Sequence, residues 1–287
     1  MSTDVQVPTA ELREVNGPSA LGGGSRRFAD LLWLISVTEF KRVYFGTVLG
    51  YLWSLIRPLL LFGVLLLVFT QVFRVGGDQV EHYAVYLLMG IVLYTFFSEA
   101  TSNAVTSVVS QEGVVRKTQF PRAVIPLATT LTSLFNLLLN LIIVLVFLLA
   151  FGVTPAWSWL LFPIALVFLF VGAAGSSMAL SALYVRYRDT AIIWMVASQA
   201  LLYLTPILYP VNSFGEETKE HLLMWNPLSV IFEQVRVWVL HEPAAPTAVQ
   251  AAGGWLGLIP AAIIYFGVCG FGVWYFSREA PRIAEAL

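Results

Sequence analysis

The run Ala123–Phe151 reads AVIPLATTLTSLFNLLLNLIIVLVFLLAF and holds no charged residue. A mainly apolar stretch of about 18 residues or more is long enough to cross the ~30 Å hydrocarbon core of a bilayer as a helix. This run exceeds that length, so it has to tilt or begin as an interfacial turn. Working outward from it, five further apolar runs lie at about 49–73, 83–108, 157–184, 190–209 and 255–276. In lipid every backbone group has to find its partner within its own segment, so such runs are helices. A membrane β-barrel would show alternating segments of about ten residues instead. The predicted fold is an all-α integral membrane protein with six transmembrane helices.

Composition points the same way. Of 287 residues 58% are hydrophobic and 11% charged, with a mean hydropathy of +0.79. A soluble domain carries about 25% charged residues. A net charge of −1 favours no nucleic-acid partner. The one cysteine, Cys269, sits in an apolar run and reads as a small buried hydrophobe.

Lysine and arginine set the orientation. Arg13, Arg26, Arg27, Lys41 and Arg42 precede the first run; Arg116, Lys117 and Arg122 follow the second; Arg186 and Arg188 follow the fourth; Arg278 and Arg282 follow the sixth. The alternate loops hold only Arg74, Lys219 and Arg236. Both termini are therefore expected in the cytoplasm. His82, His221 and His241 then lie outside.

Residues 1–27 are polar and rich in Gly and Pro, without the apolar centre of a signal peptide, and read as a flexible cytoplasmic tail. The membrane domain is expected over 28–280, with 281–287 as a cytoplasmic C-terminus. Residues 28–45 mix Phe28, Leu31, Leu32 and Ile35 with Asp30, Glu39, Lys41 and Arg42, the pattern of an N-terminal interfacial helix. The outer stretch 210–254 is long for a loop and carries the apolar patches Leu222–Trp225 and Leu228–Leu240, so short outer-leaflet helices are expected before the last span.

Several chemistries have no signature here. There is no G-x-x-x-x-G-K-[ST] loop, and no lysine follows a glycine. No H-E-x-x-H or Cys/His cluster suits zinc. The four aspartates, Asp4, Asp30, Asp78 and Asp189, are far apart in sequence, which argues against a membrane-embedded polyprenyl-sugar transferase holding Mg²⁺ on paired carboxylates. No catalytic residues and no metal site are expected, and no cofactor in this chain.

Four segments carry a resemblance. They are Gly46-Thr-Val-Leu-Gly-Tyr-Leu-Trp-Ser-Leu-Ile-Arg57-Pro58; Glu112-Gly113-Val-Val-Arg116-Lys117-Thr-Gln-Phe-Pro121-Arg122 with Pro126; Tyr187-Arg188-Asp189; and Asn226-Pro227-Leu228. Their order and spacing resemble the permease subunits of ABC transporters that export polysaccharides of the O-antigen and teichoic-acid type. Arg57 departs from the pattern, where other polar residues are usual. The resemblance implies a homodimer bound to two copies of a separate ATPase subunit, which would hold the ATP and Mg²⁺. It also implies a polyprenyl-diphosphate-linked glycan as substrate. An ABC permease for a drug or another lipid is the alternative. A channel or secondary transporter would want more charge within the spans or inverted repeats, and neither is evident.

Candidate residues follow. Arg57 and Glu99 lie inside apolar runs at matching depth and are candidates for an ion pair, or for separate snorkelling. Glu112, Gly113, Arg116, Lys117, Glu39 and Arg42 are candidates for coupling to the ATPase. Asn136 and Asn140 share a helix face at i, i+4. Aromatic stripes at helical spacing fit either bundle packing or a surface on which sugar rings slide. From these stripes Phe62, Phe69, Tyr94 and Phe97, with Gln199 and Tyr203 of the fifth run, are the candidate channel residues.

Overall fold

The computed structural model describes residues 24–44, 50–72, 82–113, 121–211, 224–241 and 246–286. In chain order the helices are α1 (Ser25–Tyr44), α2 (Gly50–Leu67), α3 (Tyr83–Ser110), α4 (Val124–Ala150), α5 (Phe162–Arg186), α6 (Thr190–Leu204), α7 (Pro227–Leu240), α8 (Ala248–Ala251) and α9 (Ile259–Ala286). A π-helical turn, Val68–Val72, prolongs α2, and 3₁₀ turns lead into α5 (Trp157–Leu161) and α9 (Trp255–Leu258). Among the described residues, five segments are long and apolar enough to cross a membrane: Leu52–Val72, Tyr83–Ser110, Val124–Ala150, Trp157–Arg186 and Trp255–Pro281. The chain is an all-α, multi-pass membrane protein.

The fifth predicted run behaves differently. A helix over 190–209 is the expectation, but α6 ends at Leu204, 15 residues long. The cause is local. Residue 206 is proline, which disfavours helical backbone at the residue before it. Thr205 accordingly turns extended, at φ −96° and ψ 135°.

α3 is the hub of the bundle. Over residues 83–97 it is apolar almost all round, and it packs against α4, α5, α2, α6 and α7. A helix hydrophobic on every face is a buried one. α5 and α9 meet on glycines: a Cβ built on Gly272 would fall 2.0 Å from the Gly175 carbonyl oxygen, and one on Gly175 2.7 Å from the Cys269 Cα. With no hydrophobic drive between helices in lipid, small residues that let backbones touch supply the association energy.

α1 lies along α4. Trp33 and Phe40 both meet the Phe135 ring edge-on, at 5.5 and 5.8 Å, and the Thr132 hydroxyl donates to the Ser36 carbonyl at 3.2 Å. Phe28, Leu31, Leu32 and Ile35 cover a cluster made by Val108, Ala123, Val124, Ile125, Met178, Ala182, Phe276 and Ala280. One end of the bundle therefore gathers α1, the end of α3, the start of α4 and the ends of α5 and α9. The described basic residues of the expected cytoplasmic loops, Arg122, Arg186, Arg188 and Arg278, fall at that end.

Candidate functional site

Polar groups inside a membrane bundle are costly and mark either helix pairing or a pathway. Two such groupings stand out. The first lies between α3 and α4. Asn140 Nδ2 donates to Asn136 Oδ1 at 3.1 Å, and Asn136 Nδ2 donates to Glu99 Oε2 at 2.9 Å. Pro58, Val92, Thr95, Phe96 and Leu137 complete a cavity of about 10 Å³ around them, room for roughly one water. The expected Arg57–Glu99 pair is not among the ion pairs of the described residues, and Arg57 is exposed. Depth is matched but azimuth is not. Pro58 faces Glu99, and one residue along a helix turns the side chain by about 100°, which carries Arg57 away.

An interhelical hydrogen bond of this kind contributes about 0.6–2 kcal/mol in a bilayer protein. Glu99→Leu and Asn136→Leu are each expected to lower resistance to detergent unfolding. The double variant is expected to lose less than the sum, with a coupling of about 1 kcal/mol. Strictly additive losses would show that the contact contributes nothing.

The second grouping closes over the non-helical stretch after α6. Irregular backbone is tolerated at membrane depth only where protein covers it. Here side-chain donors reach the carbonyls of Pro206, Leu208 and Tyr209. Tyr83 OH donates to the Leu208 carbonyl at 2.7 Å, and Tyr86 OH lies 2.5 Å from the Tyr209 carbonyl and 3.2 Å from that of Pro206. The Arg236 guanidinium donates to the Pro206 carbonyl as well. Arg236 is 3% exposed, is paired with Glu233 at 2.9 Å, and stacks over the Tyr86 ring 3.5 Å from its centroid. Asn226 caps α7 by accepting from the Leu228 N–H at 3.0 Å, while its Nδ2 donates to Thr205 Oγ1 at 2.9 Å. Ile207 packs on Gly90, where a Cβ would meet it at 3.0 Å. α3, α7 and residues 205–209 thus form one clamped unit.

Sequence reasoning missed this clamp. Arg236 counts there only as an outer-loop charge. The available signal was the opposite-charge pair Glu233 and Arg236 at i, i+3 inside an otherwise uncharged helix.

The candidate channel residues divide. Phe62 is buried against the edge of Phe147 at 5.8 Å. Phe69 is half-buried against the core. Tyr94 and Phe97 are buried together; the Tyr94 hydroxyl donates to the Ser198 carbonyl, and Phe97 meets Trp194 edge-on at 6.4 Å. Gln199 and Tyr203 instead share the exposed side of α6, with Tyr203 57% exposed. Within one chain these side chains do not form a single lining. The reason is the central place of α3, whose aromatics meet protein whichever way they point.

At the basic end, Glu39 and Arg42 pair at 2.9 Å on α1. Glu112 is half-buried and Gly113 exposed just past α3. Arg116 and Lys117 lie outside the described residues. Among the described residues no cluster of His, Cys, Asp or Glu could hold a metal ion.

The described residues form a multi-pass bundle with internal polar seams and exposed outer faces. The chain belongs to the ABC-2 type transporter family, whose model matches residues 30–240. It is similar to an O-antigen export system permease protein RfbA of Klebsiella pneumoniae, 31% identical over 201 residues that cover 70% of this chain and 76% of the relative. A protein of the same description from Myxococcus xanthus is 26% identical over 223 residues, 77% of this chain and 84% of the relative. The chain is therefore a multi-spanning membrane permease related to O-antigen export permeases, and permeases of this family do not themselves carry the ATPase.

Proposed function

We propose that this chain is the membrane half of an ATP-driven exporter that moves a polyprenyl-diphosphate-linked polysaccharide out of the cytoplasm. The observation that carries the reading is the similarity to O-antigen export permeases over more than two thirds of the chain. In this reading six segments cross the membrane, the five long apolar ones and α6 prolonged by the clamped stretch after it. α7 then dips into the outer leaflet. Both termini are cytoplasmic, an orientation supported by the basic residues gathered at one end of the bundle.

The working unit in this reading is a homodimer with two copies of a separate ATPase that holds ATP and Mg²⁺. The sides of α2 and α6 favour it. Leu52, Trp53, Leu60 and Val64 on α2, and Ile192, Ile193, Met195 and Val196 on α6, are all exposed in the single chain. Gln199 and Tyr203 on α6 are the channel residues that such a dimer could turn toward a shared path. Phe62, Phe69, Tyr94 and Phe97 would support the path from behind.

Coupling would run through residues 112–118 and the pair Glu39–Arg42. Charge reversal at Arg116 and Lys117 together is expected to abolish export while leaving the permease in the membrane. Affinity purification of the permease, with ATPase activity and export measured on the same cells, tests both parts. Co-purification of an ATP-hydrolysing subunit with wild type is the expected result. Failure to recover one, or unchanged export in the double reversal, would contradict the proposal.

A further inference from the structure

Five helices, α3, α5, α6, α7 and α9, leave a cavity of about 230 Å³ between them. Phe97, Leu169, Trp194, Leu228 and Tyr265 each bring one of these helices to its wall. None of the described residues that line it is charged. Its polar side chains are bonded within the protein. Tyr265 OH donates to the Phe168 carbonyl at 2.7 Å, and Ser176 Oγ donates to that of Gly172 at 2.9 Å. Trp194 Nε1 donates to Thr101 Oγ1 at 3.1 Å, and Asn226 Nδ2 donates to Thr205 Oγ1 at 2.9 Å.

These walls make a dry space. A buried water needs about two to four polar partners, and an apolar cavity of roughly 150 Å³ stays dry and takes up benzene or xenon instead. An unfilled apolar cavity costs stability in proportion to its volume, so an apolar group that reaches this one is held there. The mouth decides what reaches it. Phe168, Ile264 and Val268 line the cavity and are also exposed on the outside of the bundle. All three belong to segments long and apolar enough to cross the membrane. The mouth therefore opens sideways, onto hydrocarbon.

Depth narrows the choice further. Counted from Trp255, where the last span begins, Ile264 and Val268 lie about 14 and 20 Å along it, at ~1.5 Å per residue. One leaflet of hydrocarbon is about 15 Å deep. That is the depth reached by the far end of an acyl chain whose headgroup is level with Trp255. The uncharged walls hold no diphosphate and distinguish no headgroup.

We infer that this cavity between α5, α6, α7 and α9 is a binding site for the distal part of one acyl chain of a bilayer phospholipid, from the leaflet at the Trp255 end of the span and with any headgroup. The chain completes the packing that the five helices leave open. The site is independent of what the permease exports.

The test uses the full-length chain, stripped of lipid in mild detergent. It is then exposed to dioleoyl phosphatidylcholine, dioleoyl phosphatidylglycerol or dioctanoyl phosphatidylcholine. Native mass spectrometry counts the lipid retained per chain. Wild type is expected to retain either dioleoyl lipid equally and to lose the dioctanoyl lipid, whose chains fall short of the cavity. Val268→Trp fills the mouth and should abolish the retention. Val273→Trp, exposed on the same helix but away from the cavity, should keep it in full. Thermal unfolding in the same detergent shows whether both variants stay folded; each position faces outward, so unfolding near the wild-type temperature is expected. Should Val268→Trp fail to fold, the chain-length and headgroup comparison on wild type still decides. Retention of the dioctanoyl lipid as strong as that of the dioleoyl lipids would overturn the site, as would a preference for one headgroup. Undiminished retention in folded Val268→Trp would overturn it as well. Displacement of the dioleoyl lipid by equimolar undecaprenyl phosphate would do the same, because the cavity would then take the chain of the export substrate's carrier. So would a shift from dimer to monomer in Val268→Trp, since the mouth would then be a contact between copies.

Discussion

Arg236→Met is expected to remove most of the folded protein. The substitution leaves Glu233 charged and without its partner in a buried setting, 3% exposed. It also strips a donor from the Pro206 carbonyl and a cation from the Tyr86 ring. Breaking one side of a buried pair typically costs about 3–5 kcal/mol, a large part of the stability of most domains. Glu233→Leu should cost a comparable amount for the mirror reason. The double variant Glu233→Leu with Arg236→Met is expected to recover part of the loss, since two apolar side chains replace two charges. Its remaining deficit measures the Pro206 carbonyl and the Tyr86 contact. Thermal unfolding in detergent, followed by size-exclusion chromatography, gives the ordering. Single variants that unfold at the wild-type temperature would show that the clamp does not hold the stretch after α6.

The second large effect is a contrast between two glycines of one helix. Gly272→Ala places a methyl group 2.0 Å from the Gly175 carbonyl oxygen. The obstacle is backbone, so α5 and α9 have to separate along their length. Overpacking of this kind costs about 1–3 kcal/mol or more. Gly267→Ala, less than two turns away, adds the same methyl group to open space. There the higher helix propensity of alanine should leave stability unchanged or raise it by up to about 1 kcal/mol. Opposite signs from the same substitution would locate the helix contact without any structural measurement. Equal effects at the two positions would contradict the packing of α5 on α9.

The spans were legible in the sequence because lipid imposes a one-dimensional rule: a long, mainly apolar run crosses. Lengths and order therefore come from counting, as for Val124–Ala150 and Tyr83–Ser110. The early end of α6 was legible too, in the Thr205-Pro206 pair, but apolar residues through Tyr209 masked it. Azimuth was not legible. Arg57 and Glu99 match in depth, yet Pro58 is the residue that turns toward Glu99, because rotation about a helix depends on which neighbours it packs against. The clamp was hidden for the same reason. Tyr83 and Tyr86 reach carbonyls more than a hundred residues on, and no local pattern announces a donor aimed at irregular backbone. Asn136 and Asn140 share a helix face by their spacing, and from that face Asn136 reaches across to Glu99. The aromatic stripes could not be sorted, since Tyr94 and Tyr203 occupy equivalent places in their periodic patterns and one is buried while the other is exposed.

The central claim, export of a lipid-linked polysaccharide, is tested most directly by depleting this chain in its own cells and following the glycan. Polyprenyl-diphosphate-linked polysaccharide is expected to accumulate on the cytoplasmic side of the inner membrane as surface polysaccharide falls. Restoring the chain should reverse both changes, and restoring it in cells whose partner ATPase is inactivated should reverse neither. Unchanged surface polysaccharide, with no lipid-linked glycan accumulating inside, would contradict the account.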